Sequence, residues 1–187
     1  MRAAINIQET LIARREAAPE DDLDAWLQIG VGLHFGRGLV GHVGSRDYRD
    51  YNIVGDSVNT TARVEGQTKN YAAPILATGE FMNSLSEPVP SLKVDHVRVK
   101  GRHKSVEMFA VSIPGREPDS KEIDAYGEAF SCYEKGNFSG AAKLFSALTN
   151  SEHPTVATSA SLLEQRCLEF ASEFPADWDG VFVLTGK

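Results

Sequence analysis

The sequence predicts an α+β domain followed by a small, all-helical extension. Three observations support this fold class. Apolar and polar residues alternate in the segments 29–35 and 92–100, which is the period of a β-strand. The segment 57–70, which has helical spacing, lies between them, and the chain beyond residue 120 has the apolar period of helices. Strands and helices in this order, closed by a hairpin, are typical of α/β or α+β domains.

Length and composition permit one domain with a hydrophobic core and argue against several functions. The chain has 187 residues, of which 42% are hydrophobic, enough for one domain with a small appendage. Its net charge of −7 argues against a nucleic-acid-binding protein, which would present a basic face. Two cysteines without a CxxC pattern predict a reduced, cytoplasmic protein. No apolar run approaches the ~20 residues that span a bilayer, so we expect no membrane segment.

The N-terminal region predicts a helix and then a β-hairpin. Apolar residues recur at helical spacing in residues 1–16. After a polar loop, a strand over 29–35 reaches the sequence GRG at 36–38. These residues predict a tight turn into a returning strand over 39–43.

Two features of this predicted hairpin resemble binding sites. The run GRGLVG at 36–41 fits the pattern G-x-G-x-x-G, but in dinucleotide-binding proteins those glycines open a helix, and here a strand follows. His34 and His42 would face each other across the hairpin. Such a pair could bind zinc, although the sequence offers no third ligand nearby.

The segment 51–65, YNIVGDSVNTTARVE, predicts a short strand, a turn and a helix capped by Asp56 or Ser57. Asn59 and Arg63 are four residues apart and therefore share a helical face. Both lie in the first turns, where free backbone N–H groups and the helix dipole favour an anion. Arginine offers planar donors to phosphate, and asparagine can donate to and accept from a ribose. The residues alone leave a phosphate site and an ordinary helix start equally open.

The rest of the first domain predicts a strand, a short helix and a hairpin, with one further cation at the end of the hairpin's first strand. The segment 74–78 predicts a buried strand and 79–85 a short helix. Segments 92–100 and 105–112 alternate and predict a hairpin. Lys100 ends its first strand and could add a positive charge near Arg63.

The C-terminal region predicts a separate helical unit. Residues 114–120, PGREPDS, predict a linker between a domain over 1–113 and an extension over 121–187. One helix ends at Gly136, and a second helix with aromatic residues follows, a spacing that resembles a tetratricopeptide helix pair. A third helix comes after them. Because one such unit cannot bury its own apolar face, we expect the extension to dock on the first domain or on a partner protein.

Three segments together resemble class III adenylate and guanylate cyclase catalytic domains. They are IGVGLHFGRGLVGHVGS, YNIVGDSVNTTARVE and VRVKG, with IVGDSVNTTAR as the most specific element. The resemblance covers about residues 25–113 and corresponds to the second half of such domains. The extension also resembles the helical tail of some bacterial adenylate cyclases. The resemblance implies a ferredoxin-like cyclase half-domain, incomplete at its N-terminus, that takes part in forming a cyclic nucleotide and pyrophosphate from a nucleoside triphosphate.

The resemblance also implies roles for individual residues. Asn59 matches the residue that orients the ribose, and Arg63 matches the residue that stabilises the transition state. Lys100 matches the lysine that binds the triphosphate, and Asn52 occupies the position that contacts the purine edge. Asparagine is unusual there, and its amide can accept from adenine or donate to guanine. Asn52 therefore leaves ATP and GTP open, whereas the adenylate-type tail favours ATP.

The family resemblance also implies what this sequence does not contain. Members of the family hold two metal-binding aspartates in the first half of the domain, and nothing in residues 1–24 resembles that half. We therefore expect Mg²⁺ or Mn²⁺ to be bound by another segment, no metal ligand within this chain, and no activity from the chain alone. The expected partner is a second copy or a complementary cyclase half, because such sites form at a dimer interface. The alternative is a catalytically incomplete or degenerate module that binds a regulatory protein, or a gene fragment.

Overall fold

A computed structural model describes residues 1–19, 21–44, 49–99 and 104–184. A mixed β-sheet carries helices on both faces, which confirms the predicted α+β class. The described α-helices and strands are α1 (Arg2–Ala17), β1 (Val31–Leu33), β2 (Leu39–Gly44), β3 (Arg49–Val54), α2 (Asp56–Gln67), β4 (Ile75–Thr78), α3 (Gly79–Met82), β5 (Ser91–Val99), β6 (Ser105–Val111), α4 (Ser120–Glu134), α5 (Phe138–Ser146), α6 (Pro154–Ser172) and β7 (Phe182–Leu184), and a short 3-10 helix spans Leu23–Trp26.

The main sheet has five strands in the order β1-β4-β6-β5-β7. Strands β5 and β6 form the predicted hairpin and pair antiparallel, with Val97 beside Val106. Strand β4 pairs antiparallel with β6 and parallel with β1. Strand β7 pairs parallel with β5 and was not predicted, because three residues at the end of a helical region carry no clear period. The extension therefore returns to the sheet after its helices.

The predicted hairpin between the strands before and after residues 36–38 is wrong. Strand β1 lies in the main sheet, where Val31 is in register with Ile75 of β4. Strand β2 instead pairs with β3 in a separate two-stranded ribbon. The glycines at 36 and 38 give a connection between the two sheets rather than a tight turn. A turn signal is local, whereas the choice of a strand's partner depends on long-range burial, and β4 is buried at all four positions.

The predicted pairing of His34 with His42 is wrong for the same reason. His34 follows β1, and its Nδ1 lies 2.9 Å from the Thr78 hydroxyl at the end of β4. His42 lies in the ribbon, where it is in register with Tyr51 and packs edge-on against its ring. The two histidines are thus attached to different sheets and do not form a zinc site.

The sheet separates two hydrophobic clusters. On one face, α1 and α3 cover a small cluster built around Ile75, Ala77 and Val111. On the other face, α2 and the helices of the extension share one continuous cluster that includes Val94 of β5 and Phe145 of α5. The extension is therefore packed on the sheet through a common core. Within the described ranges, no helix is long and apolar enough to cross a membrane.

Local sequence signals explain how the extension folds. Asp119 and Glu122 form a capping box at the start of α4. Gly136 adopts φ +77°, and its N–H donates to the carbonyl of Tyr133, which ends α4 where the sequence predicted. Pro154 occupies the first turn of α6, where its missing N–H costs nothing. A helix–turn–helix is thus present, and its assignment to the tetratricopeptide class stays a prediction.

Candidate functional site

The start of α2 is built by a glycine and by a hydrogen bond from a distant turn. Gly55 is the N-cap residue, and its φ of +153° is a conformation that residues with a Cβ rarely adopt. Neither Asp56 nor Ser57 caps the helix as predicted, because the helix already begins at Asp56. The Ser57 hydroxyl instead donates to the carbonyl of Arg37 at 2.6 Å. This bond fixes the residues that follow β1 against the first turn of α2.

A cavity of about 330 Å³ lies between α2 and the sheet. Its size is within the range of small-molecule sites. One face of α2 supplies Thr60, Arg63, Val64 and Gln67, which follow helical spacing. The other side chains come from the connection after β1, the first turn of α2, the start of α3, the β5–β6 hairpin and β7. They are His34, Phe35, Arg37, Asp56, Ser57, Glu80, Val97, Lys104, Val106, Met108 and Leu184.

The cavity combines an apolar floor with a cationic rim. Val97, Val106 and Met108 project from the sheet and form the floor. Among the described residues that line the cavity, Arg37, Arg63 and Lys104 outnumber the two acids, so the local charge favours an anion, whatever the net charge of the chain. The partly positive N-terminus of α2 opens on the same space, since Ser57 lies in the cavity wall. Together these features suit a ligand with phosphate groups and an apolar part.

One ion pair and one histidine border the cavity on the α3 side. Lys104 Nζ lies 2.8 Å from Glu80 Oε1. Burial alone would raise the pKa of Glu80, but the hydrogen bond and the charge of Lys104 outweigh burial and lower that pKa. Burial lowers the pKa of His34, which favours a neutral ring beside Thr78. The cationic character of the site therefore comes mainly from its two arginines.

Most of the chain before the extension matches a known protein family. The model of the family described as "Adenylate and Guanylate cyclase catalytic domain" matches residues 3–112, more than half of the chain. The chain belongs to this cyclase family. The match includes α2 and the β5–β6 hairpin, which supply most of the cavity wall, and it ends before the extension.

Adenylate cyclases are among the proteins similar to this cyclase domain. Adenylate cyclase 1 of Rhizobium meliloti (strain 1021) is 29% identical over 110 residues, which are 59% of this chain and 16% of that protein. Adenylate cyclase of Anabaena cylindrica is 35% identical over 88 residues, 46% of this chain and 18% of that protein. A solved structure of a bacterial light-regulated adenylyl cyclase covers 59% of this chain and 31% of its own, with 22% identity and a TM-score of 0.52. That structure supports the fold. The chain spans less than a fifth of the length of these two curated relatives.

The structure brings only part of the predicted site of this cyclase domain to the cavity. Arg63 lies in the cavity wall. Asn59 is exposed on the same helix, one turn earlier, and is not among the described residues that line the cavity. Asn52 is exposed on β3, where its side-chain oxygen accepts from the N–H of Ile53 at 2.8 Å. Lys100 lies outside the described residues. The roles of these four residues remain predictions.

Sequence reasoning missed three residues that contribute to the site. The sequence predicts Arg37 in a hairpin turn, but its backbone is bound to α2 and its side chain lines the cavity. It predicts only a turn around Lys104 and no strand that contains Leu184. An arginine between two glycines just before the cyclase motif was a usable signal for the first. Nothing local in the sequence could have indicated Leu184, because β7 reaches the site from the far end of the chain.

The described residues of this cyclase domain do not form a metal centre at the site. In the part of the chain that the structure describes, no group of three or more His, Cys, Asp or Glu side chains could hold a metal ion. The carboxylates that line the cavity are Asp56 and Glu80, and Glu80 is engaged by Lys104. Two-metal phosphoryl-transfer sites need carboxylates that bridge neighbouring ions. These residues do not fit that requirement.

Proposed function

We propose that this chain contributes the phosphate-binding, transition-state half of an adenylate-cyclase-type site. The reaction converts ATP to 3′,5′-cyclic AMP and pyrophosphate in cytoplasmic cyclic-nucleotide signalling. The observation that carries the proposal is the position of Arg63 in a cationic cavity, on a helix that lies within the family match over residues 3–112. The names of the similar proteins, which are adenylate cyclases, support ATP as the substrate.

In the proposed reaction, the ribose 3′ hydroxyl gives its proton to solvent water, and its oxygen forms a bond with the α-phosphorus. The bond from the α-phosphorus to the oxygen that bridges the α- and β-phosphates breaks, and pyrophosphate leaves with that oxygen and its electron pair. Negative charge increases on the phosphate oxygens during this step. Arg63, an exposed residue at the cavity wall, can present two N–H groups to those oxygens, and a donor in a partly enclosed cavity stabilises such charge more than it would in water. Asn59 would orient the ribose and Lys100 would bind the triphosphate.

The metal ions and the remaining groups would come from a second polypeptide segment. Mg²⁺ or Mn²⁺ would lower the pKa of the 3′ hydroxyl and neutralise phosphate charge. Since the carboxylates of this cavity do not fit a metal pair, we assign the metal ligands to that other segment. A complementary cyclase half that carries these ligands would complete the site, whereas a second copy of this chain would add only the same residues.

An exposed apolar surface on the β2–β3 ribbon supports such a partner. Side chains alternate between the two faces of the ribbon: Leu39, 80% exposed, shares one face with Val54, and Tyr51, 71% exposed, shares the other with Val40 and Ile53. Large apolar side chains exposed in this way commonly mark protein interfaces. The same surface favours a second candidate function, in which the chain is a catalytically incomplete module that binds a regulatory protein. The two functions differ in whether Arg63 matters for turnover.

The test replaces Arg63 by alanine and measures cyclic AMP formation. The chain is mixed with the N-terminal half of a related cyclase, with ATP and Mn²⁺. Turnover should fall on the order of a thousandfold, while nucleotide affinity changes little, because the arginine acts mainly on transition-state charge. Arg14→Ala is the matched control, since Arg14 is an exposed arginine that pairs with Asp24 away from the cavity.

The chain without its complement is expected to form no cyclic AMP. Substantial product from the chain alone would show that the metal ligands were assigned to the wrong segment. A loss of less than tenfold for Arg63→Ala in an active mixture would refute the role of Arg63. An inactive mixture whose two parts nevertheless bind each other would favour the second candidate function.

A further inference from the structure

Among the described residues, three pairs between a lysine or arginine and a carboxylate join the extension to β5. One partner lies in α4, one in α6 and one in the segment before β7, so the contacts are spread along the strand. The pairs are Glu134–Lys93, Arg166–Asp95 and Asp179–Arg98, with N···O distances of 2.9, 2.8 and 2.6 Å. Strand β5 forms part of the cavity floor through Val97, and Lys100 follows it in the sequence. The extension is therefore attached to the strand that carries one side of the proposed site.

The pair in the middle of β5 is buried and also holds β7. Asp95 is completely buried, and the Arg166 side chain is only 7% exposed. The Arg166 guanidinium lies 3.5 Å from the centre of the Phe182 ring, so it stacks on the first residue of β7. Trp178 packs against aromatic residues of α4, α5 and α6, and its indole N–H donates to the carbonyl of Glu134. These contacts fix the segment that leads into β7.

The register of β7 places alternate side chains on opposite faces of the sheet. Phe182 is beside Val97 and Leu184 is beside Val99. Leu184 shares the face of Phe182 and lines the cavity together with Val97. Val183 points the other way and is 40% exposed. The C-terminal strand therefore presents one side chain to the cavity and the next to solvent.

We infer that β7 contributes to the nucleotide site, because its residue Leu184 forms an apolar wall of the phosphate-binding cavity. This inference rests on the proposed function. A wall at that edge excludes water from one side of the cavity, which strengthens the attraction between Arg63 and a phosphate group. Arg166 is then a positioning residue, because it keeps β7 in register through Phe182 and Asp95. It does not contact the nucleotide.

The test measures how fast single cysteines react with a thiol reagent, with and without nucleotide. Leu184→Cys, Val183→Cys and Arg63→Cys are each made in a Cys132→Ser background, in which the native Cys167 is buried. The probe is a non-hydrolysable ATP analogue with Mn²⁺ at about ten times its Kd, in the presence of the complementary cyclase half and also without it. Occupancy of the site should slow labelling of the first and third variants about tenfold and leave the second unchanged.

The outcomes separate this inference from the proposed function. Protection at position 63 without protection at position 184 would overturn the role of β7 and leave the proposed function intact. Protection at neither position, with or without the complementary half, would overturn both. Equal protection at 183 and 184 would also overturn the inference, because it would indicate a general tightening of the edge strand.

The positioning role has a separate readout. Phe182→Ala removes the ring on which Arg166 stacks but leaves the Asp95–Arg166 pair in place. In a Phe182→Ala background, nucleotide should no longer protect the Leu184→Cys variant, whereas protection of the Arg63→Cys variant should stay the same. A general loss of folding would abolish both. Full protection at both positions would refute the positioning role.

Discussion

Replacing Arg166 by methionine should lower the free energy of unfolding by about 3–5 kcal/mol, because the change leaves a buried carboxylate without its cation. Asp95 is fully buried and accepts from Arg166 at 2.8 Å and from the Tyr71 hydroxyl at 2.5 Å. Arg166 also donates to the Tyr133 hydroxyl at 3.1 Å and stacks on Phe182. Methionine fills much of the same volume, so the cost should come mainly from the orphaned charge. For a chain of this length, such a loss corresponds to a fall in Tm of about 6–20 °C.

The assay is a double-mutant cycle by urea unfolding, followed by circular dichroism. The variants are Arg166→Met, Asp95→Asn and their combination. The amide introduced by Asp95→Asn would still accept from Tyr71 without carrying a charge, so the double variant should be less destabilised than the sum of the single ones by about 1–3 kcal/mol. Additive effects within about 0.5 kcal/mol, which is the limit expected of independent sites, would refute the reasoning. A cost below about 1 kcal/mol for Arg166→Met would show that the carboxylate is accommodated without its partner.

Three other features of the structure lead to predictions of their own. Gly32→Ala should destabilise the fold by about 1–3 kcal/mol in chemical denaturation, because the new Cβ would lie 2.5 Å from a backbone nitrogen of α2. Gly41→Ala is the control and should cost far less, because its new Cβ would have no heavy atom within 4 Å. Burial raises the pKa of Tyr71 and Tyr126, so these phenols should stay protonated in the folded state. The free energy of unfolding should therefore fall as the pH rises above about 10, where unfolded tyrosines ionise. An ultraviolet titration that showed the two phenols ionising before the protein unfolds would contradict this. Asn52→Asp should sharpen the preference for ATP over GTP in the complemented enzyme, since a carboxylate only accepts hydrogen bonds. Equal or better use of GTP by this variant would count against Asn52 as a base-contacting residue.

Elements with a strong local period were predictable from the sequence. The alternation over 92–100 and 105–112 predicts a hairpin, and the structure confirms it in the described strands Ser91–Val99 and Ser105–Val111. The helix over 56–67 and the buried strand over 75–78 were also predicted, within a few residues at their ends. The pairing of β1 was not predictable in this way. Its partner β4 is remote in the chain, with Val31 beside Ile75, and the glycines next to β1 are typical of a local turn.

The residues of the candidate site also differ in whether local sequence could predict them. Arg63 could be predicted because a helix places residues at fixed angles, so a motif in sequence becomes one face in space. Leu184 could not, because β7 pairs with a strand remote in the chain. Arg37 lies in a recognisable glycine-flanked position, but its contact with α2 is remote in the chain and was not predicted. The N-cap of α2 was assigned to the wrong residue because aspartate is a good capping residue. The helix begins at Asp56 itself, so the N-cap is Gly55, whose positive φ is seen only in the structure.

The predicted linker over residues 114–120 separates the cyclase domain from the extension in sequence, but the two share one hydrophobic core. The family match ends at residue 112, yet α4, α5 and α6 bury their apolar faces in the same cluster as Val94 and Met108 of the sheet. A sheet face that carries such side chains is not stable in water without a cover. In this chain the extension supplies that cover, and it also supplies the edge strand β7 beside the cavity. The extension therefore has the two physical roles that would let it affect catalysis: it stabilises β5 along its length, and it forms one wall of the space in which the phosphates would be bound.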